Sequence, residues 1–256
     1  MRDAGLEEAI KAAGGVGSLA LKIGISQPSV SNWVRIPAER VISVEAVTGV
    51  ARAVLRPDLY GDEPAATDDE DAARAAEYAL LATLLARAPD AEFLKRLSRL
   101  RGDASPLGLA HVALAEAAAA TTAERAEREF FNLFIGLGRG ELMPYGSYYI
   151  SGFLYERPLA RLREDLRQLG IVRAESNREP EDQAAILCEI MAGLAGGRFP
   201  APAGADRALF DKHLAPWIGR FFADLERAQE ADFYRRVGTL GRLFVDIETE
   251  AFALPS

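Results

Sequence analysis

The sequence predicts an all-α protein, a small helix-turn-helix domain followed by a larger all-helical bundle. Three observations carry that expectation. Apolar residues recur at three- and four-residue spacing through most of the chain, no segment sustains the alternation of a strand, and no fixed-period repeat is present. The 256 residues are 49% hydrophobic, enough to bury a sizeable core in one large domain or two unequal ones.

Charge divides the chain. Residues 1–60 hold seven Lys/Arg against six Asp/Glu, whereas residues 61–72, GDEPAATDDEDA, hold six acids and no base. The remainder holds 23 bases against 26 acids, and the formal net charge is −8. An acidic stretch with proline and alanine and no apolar periodicity reads as a linker. The expected domains are therefore 1–60 and 73–256, joined by 61–72. A single cysteine, Cys188, excludes an internal disulfide and any multi-cysteine metal site, and the two histidines, His111 and His213, add few soft ligands. Neither metal nor cofactor is expected. The start MRDAGLEEAIKAAGG has no charged-then-apolar secretory pattern and no run reaches membrane-spanning length, so a cytoplasmic location is expected.

In the first domain, Leu19, Ala20 and Ile23 recur at helical spacing, Gly24 suits a left-handed helix end, and Ser26 suits the cap of the next helix. Pro28 falls in that helix's first turn, where a missing N–H costs little. Val30 and Trp33 then point inward and leave Gln27, Ser29 and Asn32 outward, where short polar side chains reach base edges in a major groove, with Lys22 and Arg35 flanking toward phosphates. AIKAAGGVGSLALKIGISQPSVSNWV followed by PAERVISVEAVTGVARAVLRPDLYGDE resembles the YdaS or Cro-like family of small phage-type DNA-binding domains, over nearly all of residues 5–62. The resemblance implies DNA as a partner and, because helix-turn-helix operators commonly call for dimers, a homodimer. One departure stands out. Family members usually carry a longer, basic connection after the tryptophan, whereas here Trp33-Val34-Arg35-Ile36 runs straight into Pro37, which implies weaker phosphate contact.

The larger domain reads as successive amphipathic helices. DAARAAEYALLATLLARAP aligns Ala76, Leu80 and Leu84 with Leu81 and Leu85 beside them, stopped by Pro89. ERPLARLREDLRQLG aligns Leu159, Leu162, Leu166 and Leu169, and EPEDQAAILCEIMAGLAGG aligns Ile186, Leu187, Ile190, Met191 and Leu194. Leu214, Trp217, Ile218, Phe221, Phe222 and Leu225 mark an aromatic-rich helix; Phe233, Val237, Leu240, Phe244 and Ile247 mark the last.

Enzymatic chemistry finds little purchase. His213 and His111 sit on helices where a packed or solvated imidazole is the ordinary outcome, and Cys188 falls in an apolar stripe. The GLGRG of FIGLGRGELMPYGSYY does not follow a strand, as a nucleotide loop does; it follows the helical EREFFNLFIG. Its glycines suit a sharp turn between helices.

The segments FFNLFIGLGRGELMPYGSYYISGFLYERPLARLREDLRQLGI, EPEDQAAILCEIMAGL and FDKHLAPWIGRFFADLERAQEADFYRRVG, in that order, resemble the TorD/DmsD family of redox-enzyme maturation chaperones from about residue 74 onward. The resemblance implies an all-helical cytoplasmic chaperone, not an enzyme. Such a protein binds the twin-arginine signal peptide, and often the apoprotein, of a molybdenum-cofactor oxidoreductase of the formate dehydrogenase or dimethyl-sulfoxide-reductase type. The family's aromatic-x-x-Leu-Phe element falls on Phe130 or Phe131 with Leu133 and Phe134, its Pro-aromatic element on Pro144 and Tyr145, and its Glu-Pro-x-Asp-His element on Glu179, Pro180, Glu181 and Asp182, with Gln183 in place of the histidine. Gln183 removes a titratable group but still donates and accepts hydrogen bonds.

Two guanidinium groups followed by an apolar run need carboxylates beside a hydrophobic groove. Glu141, Glu179, Glu181 and Asp182 are the candidate carboxylates; Leu133, Phe134, Tyr145 and Tyr148 are candidate walls, with Pro144 and the tyrosines at the mouth. The plainer alternatives are a helix N-terminus stabilised by residues 179–182 and a core position for Phe131, Leu133 and Phe134. Two functions remain open: a maturation chaperone with a fused DNA-binding domain, or a transcriptional regulator whose chaperone-like domain senses or dimerises.

Overall fold

The computed structural model describes residues 3–50, 52–60, 69–173 and 178–253. Among them there is no strand, and the chain divides into two compact units, Met1–Thr67 and Asp68–Ser256. Residues 61–68 of the expected linker lie outside the described residues.

In the first unit, α1 (Ala4–Ala13) is capped by Asp3, whose Oδ1 accepts from the Gly5 N–H at 2.8 Å, and ends at Gly14 with φ +88°. Helix α2 (Val16–Lys22) leads through Gly24, φ +70°, into α3 (Gln27–Ser31), which Ser26 caps and Pro28 opens. A 3₁₀ turn at Ala38–Arg40, α4 (Val41–Thr48), α5 (Arg52–Leu55) and α6 (Pro57–Tyr60) complete the unit. Leu6, Ala9, Leu19, Val30, Val41, Val44 and Leu55 form its core, with Trp33 partly buried against it. A Cβ on Gly5 would lie 2.3 Å from the Leu55 carbonyl oxygen, so only glycine lets α1 approach α5 this closely. The helix-turn-helix pattern is therefore one part of a helical unit whose described elements run to Tyr60.

The second unit begins with α7 (Asp69–Ala86), α8 (Ala91–Leu97), α9 (Pro106–Ala120) and α10 (Ala123–Phe130), the last three capped by Asp90, Ser105 and Thr122. A π-helical turn, Phe131–Ile135, extends α10. Helices α11 (Gly146–Ser151), α12 (Arg157–Gln168), α13 (Ala184–Ala195) and α14 (Ala205–Leu209) follow, then a second π turn at Phe210–Leu214, α15 (Ile218–Arg227) and α16 (Phe233–Ala253). Helix α13 lies along α7, and α16 packs between α15 and α9. Tyr78, Phe210, Trp217, Phe221, Phe222 and Tyr234 fill the centre. Close crossing of α15 and α16 depends on Gly241, where a Cβ would meet the Phe222 ring at 2.3 Å.

Two expected stripes hold except at one member each. In α7 the buried side is Tyr78, Leu81, Leu84 and Leu85, and Ala76 is exposed. In α16, Ile247 is 45% exposed and Glu248 is 1% exposed in its place. In α16 the cause is polar: Arg74 on α7 donates to Glu248 at 2.8 and 3.0 Å, and the Tyr78 hydroxyl donates to it at 3.0 Å, so a strap between α7 and α16 buries Glu248 where hydrophobicity alone assigns Ile247. Asp206 and Asp71 complete the Arg74 shell.

Candidate functional site

The stretch that leads from α10 to α11 is ordered by its own backbone. The Gly136 N–H closes the π turn on Phe131 O at 2.7 Å, and Glu141 and Leu142 return N–H bonds to Asn132 and Leu133 at 3.0 and 2.8 Å. Gly136 and Gly138 have φ +62° and +94°, and a Cβ on Gly140 would lie 2.6 Å from the Leu133 oxygen. The glycines fold the loop back on itself. Arg139 at the tip donates to the Tyr148 hydroxyl at 3.0 Å and lies 5.6 Å from its ring centre.

From Pro144 onward the chain runs antiparallel to residues 182–184. Gly146 N–H donates to Asp182 O at 2.9 Å, Ala184 N–H donates to Pro144 O at 2.8 Å, and Tyr145 bridges Gln183. The expected Pro-aromatic and Glu-Pro-x-Asp elements thus meet as one seam. Asp182 Oδ2 accepts from the Ser147 N–H at 2.7 Å and so caps α11, while Gln183 Oε1 accepts from Ala185 and Ile186 at 2.7 and 3.2 Å and caps α13. Gln183 therefore does a helix-capping task that its amide oxygen suits. Pro180 is buried beneath the seam.

The two faces of the seam differ. On one, Glu179 and Gln183 look toward α7 over a cavity of about 450 Å³, lined also by Ala79, Ala82, Thr83 and Arg87. The Tyr145 hydroxyl donates to Glu179 at 2.8 Å, and burial, reinforced by that carboxylate, holds the phenol well above its ordinary range. On the other face, Gly146 and Asp182 border a cavity of about 710 Å³ whose walls include Ile150, Pro158, Leu162 and Pro216. Asp182 is 3% exposed, and its Oδ1 has no hydrogen-bond partner among the described residues; neither has the buried Ser147 hydroxyl. A buried carboxylate oxygen left in that condition is expensive unless a donor reaches it.

Charged groups ring this second cavity. Asp165 accepts from Lys212 at 3.3 Å and pairs with His213 Nε2 at 2.8 Å; the His213 hydrogen bond leads in holding the Asp165 carboxyl below its ordinary range. Arg161 and Glu164 lie at the rim. No motif marks Asp165 or Lys212, and His213 reads from sequence only as a packed or solvated imidazole. Lys212–His213 lie in a π turn after α14, far in sequence from α12, and only the fold brings them together.

Other sequence-selected residues lie elsewhere. Both Glu141 oxygens are engaged by backbone, accepting from Gln229 and Glu230 N–H at 2.7 and 3.0 Å, which makes Glu141 a clamp on the loop between α15 and α16. Leu133 is fully buried, and Phe134 joins an aromatic cluster with Phe130, Phe221 and Tyr234. Both serve the core. Phe131 is 37% exposed on the outer side of the π turn. Glu181 is engaged by Arg163 at 2.8 Å and Arg173 at 3.7 Å. Among the described residues, no group of three or more His, Cys, Asp or Glu is placed to hold a metal, and no helix is long and apolar enough to cross a membrane.

In the first unit, Gln27, Ser29 and Asn32 are exposed on or beside α3. Ser29 shares a 2.7 Å hydrogen bond with Ser26. Lys22 reaches back to the Ala13 carbonyl at 3.4 Å, and Arg35 pairs with Asp3 at 3.1 Å, so both expected phosphate contacts have partners inside the unit.

Comparison with known proteins adds lineage to this geometry. Residues 100–223 match the family described as nitrate reductase delta subunit, and residues 6–64 match the family described as bacterial toxin YdaS. The chaperone protein TorD of Vibrio cholerae serotype O1 (strain El Tor Inaba N16961) is 27% identical over 124 residues, covering 45% of this chain and 55% of that protein. TorD of Aliivibrio fischeri is 25% identical over 135 residues, covering 49% of this chain and 63% of that protein. The chain thus spans a little over half the length of these relatives. It is similar to the YdaS family over its first unit and to the TorD-like nitrate reductase delta subunit family over most of its second.

Proposed function

We propose that the larger unit is a maturation chaperone, not an enzyme, that binds the twin-arginine signal peptide of a molybdenum-cofactor oxidoreductase. One observation carries the reading: the unpartnered Oδ1 of buried Asp182 at the edge of a 710 Å³ cavity with apolar walls. A guanidinium supplies the missing donors in a charge-assisted bond, and the apolar run that follows it covers Ile150, Pro158 and Leu162. Because Oδ2 already caps α11, the carboxylate is held in place before any ligand arrives. The sequence likeness to proteins named chaperone protein TorD supports the same reading. The cavity on the opposite face, lined by Glu179 and Gln183 with the Tyr145 hydroxyl donating to Glu179, takes a second stretch of the client, and Tyr148 is tied to Arg139 at the tip of the loop.

Calorimetric titration with a synthetic twin-arginine peptide and its Lys-Lys version tests this. The arginine peptide is expected to bind at least about tenfold tighter, since Arg presents a planar fork to carboxylate and Lys a point charge. Asp182→Asn keeps an oxygen for the Ser147 N–H and loses the charge, so it is expected to weaken binding about 10- to 100-fold with the fold intact. Unchanged affinity in that variant would sink the assignment of Asp182. The first unit, in this reading, contacts DNA through Gln27, Ser29 and Asn32. A regulator in which the chaperone-like unit senses a client is the second reading, and the YdaS-like match is the observation that favours it.

A further inference from the structure

A further groove on the second unit, which shares Ile186, Glu189 and Arg198 with the 450 Å³ cavity, is rich in arginine. It lies between α12, residues 171–173 and α13, has a volume of about 720 Å³, and is floored by Leu166, Ile190 and Phe199. Four arginines line it: Arg163 and Arg167 from α12, Arg173, and Arg198 after α13. Only two carboxylates, Glu181 and Glu189, line it with them. Arg163 and Arg173 share Glu181, at 2.8 and 3.7 Å, and Arg167 is paired with Glu164 at 2.7 Å, while Arg173 and Arg198 donate further to the main-chain carbonyls of Glu179 and Glu189 at 3.4 and 3.5 Å; the surplus therefore rests on Arg173 and Arg198. Carbonyls orient a guanidinium without neutralising it. The groove therefore keeps a positive surplus on a chain whose net charge is −8, beside Val172, which is 84% exposed.

We propose that this groove binds an acidic amphipathic segment of a partner protein, its carboxylates on Arg173 and Arg198 and its apolar side chains on Leu166, Ile190 and Phe199. Charge excludes a twin-arginine segment here, which four arginines would repel, so this groove and the Asp182 cavity take different stretches of chain. The shape of the groove selects a peptide over a small phosphate. Its donors are side chains spread over three separate segments, and the α13 N-terminus at its edge is closed by Gln183 Oε1, which accepts from the Ala185 and Ile186 N–H groups and so keeps them from converging on an anion.

The test is fluorescence anisotropy on the full chain with a labelled probe of about ten alternating glutamate and leucine residues, compared with probes carrying glutamine or lysine at the glutamate positions. The glutamate probe is expected to bind about tenfold tighter than the glutamine probe, with the difference shrinking as salt rises. In the double variant Arg173→Gln, Arg198→Gln the difference is expected to vanish while the melting temperature stays unchanged. Equal binding of the glutamate and glutamine probes, or an unaltered preference in the double variant, overturns the proposal. So does much tighter probe binding after Asp62→Asn, Glu63→Gln and Asp68→Asn, which would make the chain's own acidic run the occupant.

Discussion

At the scale of single residues, the two histidines show how burial and a partner decide a role that identity leaves open. His111 Nε2 lies 2.9 Å from Glu77 Oε2, and the hydrogen bond to Glu77 raises the imidazole above its ordinary 6.5 against the opposing effect of burial. A histidine that holds its proton more tightly folded than unfolded contributes stability that is complete below pH 6.5 and is lost as pH rises through the folded value. The melting temperature is therefore expected to fall as pH rises above 6.5, and His111→Gln is expected to flatten that fall. A variant with the parental slope would assign the pH dependence elsewhere. Cys188 is the counterpart without a partner: burial alone pushes its thiol up to about 12, which leaves it a packing residue. Its apolar-stripe position made that legible. Glu77 as the partner of His111, 34 positions away, was not.

At the scale of elements, what the sequence shows best is where helices stop and what caps them. Ser26 before α3, the proline at its first turn and Gly24 before it are local chemistry, and local chemistry survives folding. Stripes are legible but for single members, and in α16 the error comes from a polar residue buried with distant partners, Glu248 with Arg74 and Tyr78. Carboxylates are the least legible group. Glu141, Asp182 and Glu129 look alike in sequence, yet the first clamps a loop, the second caps α11 with one oxygen to spare, and the third accepts from the N–H groups of Asp232, Phe233 and Tyr234 at the start of α16. Burial pushes the Glu129 carboxyl above its ordinary range even with those three donors opposing. Glu129→Gln leaves one oxygen for three donors and turns an amide N–H₂ toward them. It is expected to destabilise the larger unit by about 2–3 kcal/mol, read from urea unfolding. A loss under about 0.5 kcal/mol would show that solvent satisfies the start of α16.

At the scale of the whole molecule, charge is distributed by unit, and that distribution predicts how the first unit engages a polyanion. Of its seven bases, Lys22, Arg35, Arg52 and Arg56 hold partners within the unit: the Ala13 carbonyl, Asp3, Glu45 and the Ile36 carbonyl. The acidic residues 61–72 follow in the same chain. Phosphate neutralisation sets the salt dependence of DNA binding, each contact contributing about −0.9 to the slope of log K against log salt. Carbonyls leave the charges of Lys22 and Arg56 intact, so with Arg35 and Arg52 held by carboxylates at most five of the seven bases can meet phosphates, and a slope no steeper than about −4.5 is expected in a titration of the full chain with duplex DNA. Arg35→Gln, which removes a charge already paired with Asp3, is expected to leave the slope unchanged within about half a unit, whereas Asn32→Ala, at a proposed base-edge contact, is expected to lower specific affinity without altering the slope. A slope steeper than about −5 would mean that the internal pairs open on DNA and that phosphates, not Gln27, Ser29 and Asn32, dominate binding. A chain that binds no duplex at low salt would leave the α3 face to a protein partner, and the larger unit would then act without a DNA tether.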